Sequence, residues 1–161
     1  MRHSKAEQVG PTDFERELAP RGRADGAATG VWLSGQGLVP AVALVSAAAR
    51  TQQTWAAVAE GAGWDLEPTF DHGLYAADPD TALDLLRTID EECRSAIVIG
   101  HNPTMAFLAQ LLDDGEGDVE AGNAMVTGFP TSAVAVFAFH GSWADLAPAA
   151  ATVTAFHVGR G

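Results

Sequence analysis

The chain has 161 residues, 47% hydrophobic and 19% charged, enough for one domain with a real core and too apolar for a disordered chain. Nine Lys and Arg against 21 Asp and Glu give a net charge of −12, which argues against a general nucleic-acid binder and against attraction to anionic membranes. No apolar run approaches the ~20 residues of a membrane helix, the N-terminus lacks an apolar export core, and Cys93 has no second cysteine to pair with, so a single cytoplasmic domain over 1–161 is expected, with nothing demanding a dimer.

The first residues, MRHSKA, put Arg2 and His3 at a chain end, where fraying is the rule. Residues 7–18 are polar and read as a loop. From 18 to 37, small and apolar residues recur at near-helical spacing, and Gly35 and Gly37 suit the helix end. VPAVALVS (39–46) is a buried strand, and AAARTQQTWAAVAEGAG (47–63) a helix closed by glycines. DLEPTF (65–70) is a short strand that Pro68 pushes towards an edge.

DPDTALDLLRTIDEEC (78–93) has an N-cap in Asp78, a first helical position in Pro79, and a core stripe at Ala82, Leu86, Ile89 and Cys93. SAIVIG (95–100) is a buried strand and PTMAFLAQLLDD (103–114) a helix. The Gly- and acid-rich 115–128 reads as a loop, and 132–139 and 152–158 as strands. Strands alternating with helices predict an α/β fold with a largely parallel sheet, whose ligands bind at the carboxyl ends of strands. Two strands there run into Arg50 and His101, each just before a helix N-terminus, a setting that favours anions.

Arg2, His3, Arg50 and His101 are the residue types that phosphate chemistry requires. Guanidinium groups bind phosphate oxygens in pairs and stay charged. A neutral imidazole can accept a phosphoryl group and pass it to water, while a second imidazole, if protonated, can donate to an equatorial oxygen. Arg16, Arg21 and Arg23 stay open between an anion site and ordinary surface. His72, His140 and His157 are scattered without metal-ligand spacing and read as surface or structural histidines, and the four tryptophans as packing.

MRHSKA, RELAPRG (16–22), LVSAAARTQQT (44–54) and VIGHNPT (98–104) occur in the order seen in the histidine phosphatase superfamily, and the chain most resembles its SixA-type branch of phosphohistidine phosphatases. FPTSAVAVFAF (129–139), Trp143 and the last strand resemble that branch too. Each motif alone is weak; four in order are specific. The resemblance implies a three-layer α/β/α fold with a mixed, mostly parallel sheet, and no metal or cofactor. It implies that His3 becomes phosphorylated, that Arg2 and Arg50 bind the phosphate, and that His101 supports the transfer, with Arg16 and Asn102 near the site. The implied substrate is phosphohistidine in a protein; the alternatives are a small-molecule phosphomonoesterase or mutase of the superfamily, or a phosphate-binding module without turnover.

Two departures from the family carry expectations. Many members place an acid after the third strand to protonate the leaving oxygen, whereas FDHGLYAADPD (70–80) has none convincingly there, leaving Asp71, Asp78 and Asp80 as acids that could swing in. An imidazole leaving group tolerates this better than an alkoxide. The family also carries its Arg-His pair at the end of a first central strand of about five residues. That strand is missing here, as from a late-assigned start, so His3 is expected to lack rigid support beside unpaired strand edges.

Overall fold

A computed structural model describes all 161 residues. Five strands and five α-helices follow one another as α1 (Pro20–Gly35), β1 (Val42–Ser46), α2 (Ala49–Ala62), β2 (Thr69–Asp71), α3 (Pro79–Arg87), β3 (Ala96–Ile99), α4 (Thr104–Leu112), α5 (Val119–Thr127), β4 (Ala133–Ala138) and β5 (Thr152–Val158). β1 lies between β2 and β3, all parallel, while β4 and β5 form an antiparallel pair with a bulge between Val136 and Phe137. The expected α/β architecture is present, with its parallel and antiparallel parts as two sheets.

The first three residues join them. Arg2 pairs in parallel with Gly100 beyond β3, and its N–H donates to the Ala133 carbonyl of β4 at 2.9 Å. The Gly100 N–H donates to the Met1 carbonyl, the His3 N–H to the Gly100 carbonyl, and the Ser132 N–H to the His3 carbonyl, at 3.0 to 3.2 Å. The Met1 amine donates to the Val98 carbonyl at 2.8 Å. His3 is therefore fastened on both sides and only 9% exposed, so the expected loss of support does not occur. Past Met1, β3 and β4 part around an apolar groove of about 590 Å³ lined by residues such as Leu33, Ile97, Val98, Val134 and Phe137.

Side-chain alternation along the strands builds three layers. Ala43, Val45, Ile97 and Ile99 face α1 and α2, packing with Leu33, Trp55 and Val58. Leu44 faces the other side, where α3, α4 and α5 contribute Leu83, Leu86, Leu108 and Met125. Burial on both faces explains why β1 reads as an unbroken apolar run. No helix is long and apolar enough to cross a membrane.

Three expectations need correction. Residues 115–128 are not all loop. Asp118 accepts a hydrogen bond from the Ala121 N–H at 2.8 Å and caps α5, which buries Ala121 and Met125; the glycines and acids in front of the cap hid a helix of nine residues. α3 stops at Arg87 rather than reaching Cys93. Its Asp78 cap is as expected, but Ile89 reaches the core from a turn and Cys93 lies half-buried beyond the helix. β2 is confined to residues past Pro68.

Candidate active site

β1, β3 and the Met1–His3 segment all end at one edge of the molecule, and their ends form a floor. β1 ends at Ser46, and α2 begins three residues later, placing Arg50 in its first turn. Gly100 and His101 follow β3 directly. His3, Arg50 and His101 are 9, 5 and 8% exposed, and the two imidazole rings are 5.2 Å apart at an interplanar angle of 52°. Arg2 is half-buried beside them, its Nη1 donating to the Phe129 carbonyl at 3.0 Å. The Asn102 amide donates to the same carbonyl at 2.8 Å. The four residues picked from the sequence and Asn102 thus come together. Arg16 does not line the floor; it donates to Asp13 Oδ1 and to the Glu7 carbonyl, both at 2.9 Å, and fastens the loop above it.

The hydrogen bonds assign the imidazole protons. His3 Nδ1 lies 2.7 Å from the Ser4 carbonyl, which can only accept, so Nδ1 carries the proton and Nε2 holds a lone pair. Burial holds the His3 pKa down at about 4, helped by the nearby arginines, so the ring is neutral at pH 7. His101 Nε2 lies 2.8 Å from the Ser46 hydroxyl, which has no other acceptor within reach, so the hydroxyl donates and the His101 proton sits on Nδ1. Burial, with Arg50 next, lowers its pKa to about 3.

Four buried side-chain polar atoms have no partner: Arg2 Nε, Arg50 Nε, His101 Nδ1 and Asn102 Oδ1. All belong to this floor. Buried polar groups are otherwise almost always paired, and an anion with several oxygens would satisfy the three donors among them. No three or more His, Cys, Asp or Glu side chains are arranged to hold a metal ion.

Two residues absent from the sequence reading complete the site. Asp13 in the 7–18 loop accepts from Arg50 Nη2 at 3.1 Å and from the Tyr75 hydroxyl at 2.6 Å, while Arg50 Nη1 donates to the Asp13 carbonyl at 2.6 Å. The Tyr75 hydrogen bond and the Arg50 and Arg16 charges depress the Asp13 carboxyl to about 2. Tyr75, in a short 3-10 turn after β2, sets its ring 5.4 Å from His101 and 5.7 Å from the Arg50 guanidinium. Of the acids that could swing in, Asp71 accepts from the Leu74 N–H and Asp78 caps α3, while Asp80 lies exposed in the first turn of α3. Arg21 and Arg23 pair loosely with Asp25 and Glu17 at 3.8 Å, away from the floor.

No family model matches the chain. An uncharacterised protein of Mycobacterium tuberculosis is 36% identical over 164 residues, covering 99% of this chain and 100% of the relative. One of Mycobacterium leprae is 32% identical over 167 residues, with the same coverage. Among solved structures, the Nakamurella multipartitia protein assigned as phosphohistidine phosphatase SixA superposes with a TM-score of 0.86 at 30% identity, over 99% of this chain and 93% of that one. Its counterpart from Agrobacterium tumefaciens gives 0.75 at 30% identity over 86% and 88% of the two chains. A SixA complexed with tungstate shares the fold at 24% identity and a TM-score of 0.79, over 98% and 94%. With the Arg-His pair, both strand-end motifs and the fold in agreement, the chain belongs to the histidine phosphatase superfamily, in its SixA-type branch.

Proposed function

We propose that the protein is a phosphatase working through a phosphohistidine intermediate on His3, and that its substrate is phosphohistidine in a protein. The observation that carries this reading is that the buried side-chain atoms without a partner all belong to residues gathered with His3: Arg2 Nε, Arg50 Nε and His101 Nδ1 would give one donor for each equatorial oxygen of a phosphoryl group.

The His3 Nε2 lone pair forms the new N–P bond in line as the P–N bond to the substrate imidazole breaks. The bonding pair stays with the departing nitrogen, and because the other ring nitrogen already carries a proton, a neutral imidazole leaves. Water then attacks phosphorus, the second P–N pair returns to Nε2, and the water oxygen with both protons departs as dihydrogen phosphate. The two guanidiniums and the His101 N–H hold the charge throughout.

The substrate class follows from the carboxylates. A phosphate ester needs an acid to protonate its alkoxide. The carboxylate beside Arg50 is Asp13, held ionised by Tyr75 and the arginines down to about pH 2, and so a poor proton donor at neutral pH. A phosphoramidate needs none. Two structures 30% identical to this chain are assigned as phosphohistidine phosphatases. In the His3→Ala variant, turnover of phosphoramidate and of p-nitrophenyl phosphate should vanish while the circular dichroism spectrum and melting profile persist; full activity would sink the mechanism.

A further inference from the structure

The rings of the site form a continuous wall from floor to surface. His3 lies 5.2 Å from His101, His101 5.4 Å from Tyr75, Tyr75 5.0 Å from Phe14, and Phe14 5.9 Å from His72. The buried end carries the two pocket histidines, the outer end an exposed His72 and a half-buried Phe14. Asp13 sits midway along this wall, bonded to the Tyr75 hydroxyl, with its side chain 56% exposed.

A carboxylate offers about four lone-pair sites. Asp13 spends three, on Arg16 Nε, Arg50 Nη2 and the Tyr75 hydroxyl. One site is left, on a charged and accessible oxygen. The floor holds two guanidiniums, whereas the rim loop holds Asp13, paired with Arg16, and, along the cleft beside α2, Glu7, Glu15 and Glu17. A transferring phosphoryl group suits the floor. At the rim, a flat cationic ring gains both aromatic contact and a charged acceptor.

We infer that Asp13, with the Tyr75 and Phe14 rings, forms a leaving-group subsite that takes the protonated imidazole ring of the substrate, its N–H donating to the Asp13 carboxylate. This rests on the phosphohistidine reading above and adds the residues that select for it. Holding that proton on the ring keeps the substrate in the form whose imidazole departs neutral, so Asp13 contributes without giving up a proton of its own.

The experiment compares kcat/KM for phosphohistidine as the free amino acid with kcat/KM for phenyl phosphate, in wild type and in the Asp13→Asn, Asp13→Glu and Phe14→Ala variants. Asp13→Asn should lower the phosphohistidine-to-phenyl-phosphate ratio by about tenfold or more, the effect of removing the charge from a hydrogen bond. Asp13→Glu should recover part of the ratio, and Phe14→Ala should lower it less. Equal losses on both substrates would mean that Asp13 only positions Arg50 and would overturn the subsite, as would an unchanged ratio. Wild type active on phenyl phosphate but silent on phosphohistidine would overturn the substrate reading itself, a result distinguishable from failure of the subsite alone.

Discussion

Ser46 governs which nitrogen of His101 carries the proton. The residue is fully buried, and its hydroxyl has one acceptor within reach, His101 Nε2 at 2.8 Å. Donating there keeps Nδ1–H, the atom with no protein partner, free to face an anion. Ser46→Ala releases the ring to either tautomer, so kcat should fall about tenfold with a smaller change in KM, and loss of one buried hydrogen bond should cost about 1 kcal/mol of stability. Steady-state kinetics and thermal melting check both; unchanged kcat would remove Ser46 from the site. At this scale the sequence was legible where chemistry coincides with topology. Arg50 and His101 follow buried strands, and strand ends are where ligands bind. Asp13 and Tyr75 were not legible, because each acts from an irregular segment with no periodicity to place it. TDFERE reads as a solvated acidic loop until Arg50 and Tyr75 are seen to close on Asp13.

At the scale of elements, α1 and α2 position Arg50 by packing backbone against backbone. A Cβ on Gly30 would lie 2.0 Å from the Val58 carbonyl oxygen, and one on Gly61 2.2 Å from that of Ala27. Gly22 approaches the Lys5 carbonyl equally closely, tying α1 to the segment that follows His3. Gly30→Ala should therefore force the helices apart and destabilise by about 3 kcal/mol. Gly35→Ala, at the open end of the same helix with nothing within 4 Å of its new Cβ, should be neutral or stabilising by up to ~1 kcal/mol. Chemical denaturation of the two variants checks the contrast, and equal effects would contradict the close approach. The glycines that weakened the helical pattern of 18–37 are what the packing needs, a tertiary demand that local propensity does not display. α5 shows the reverse: Asp118 supplied a cap, but it stood among acids and glycines that read as loop.

Over the whole molecule, the site makes stability depend on pH. His3 and His101 have folded pKa values of about 4 and 3, both below the unfolded 6.5. Between those limits the unfolded chain binds protons that the folded chain refuses. Stability from these groups is full above pH 6.5 and declines as pH falls, by about 1.4 kcal/mol per pH unit for each imidazole well below 6.5. The melting temperature should drop between pH 7 and pH 5, and the double variant His3→Gln, His101→Gln should flatten most of that slope; an undiminished slope would mean that the imidazoles are not the source. The α/β plan with a parallel sheet was legible from the alternation of strands and helices, and its three layers from the family resemblance, whereas the way three residues bridge two sheets was not, because no sequence pattern announces a pairing of one or two residues.

The central claim is that His3 carries the phosphoryl group between substrate and water. Mixing enzyme with ³²P-labelled phosphoramidate and quenching in alkali on the millisecond scale tests it directly. The result expected is one label per chain, stable in alkali and lost in acid, mapping to the peptide containing His3 and absent from His3→Ala. Label on another residue, or turnover with no label on the protein at any time, would contradict it.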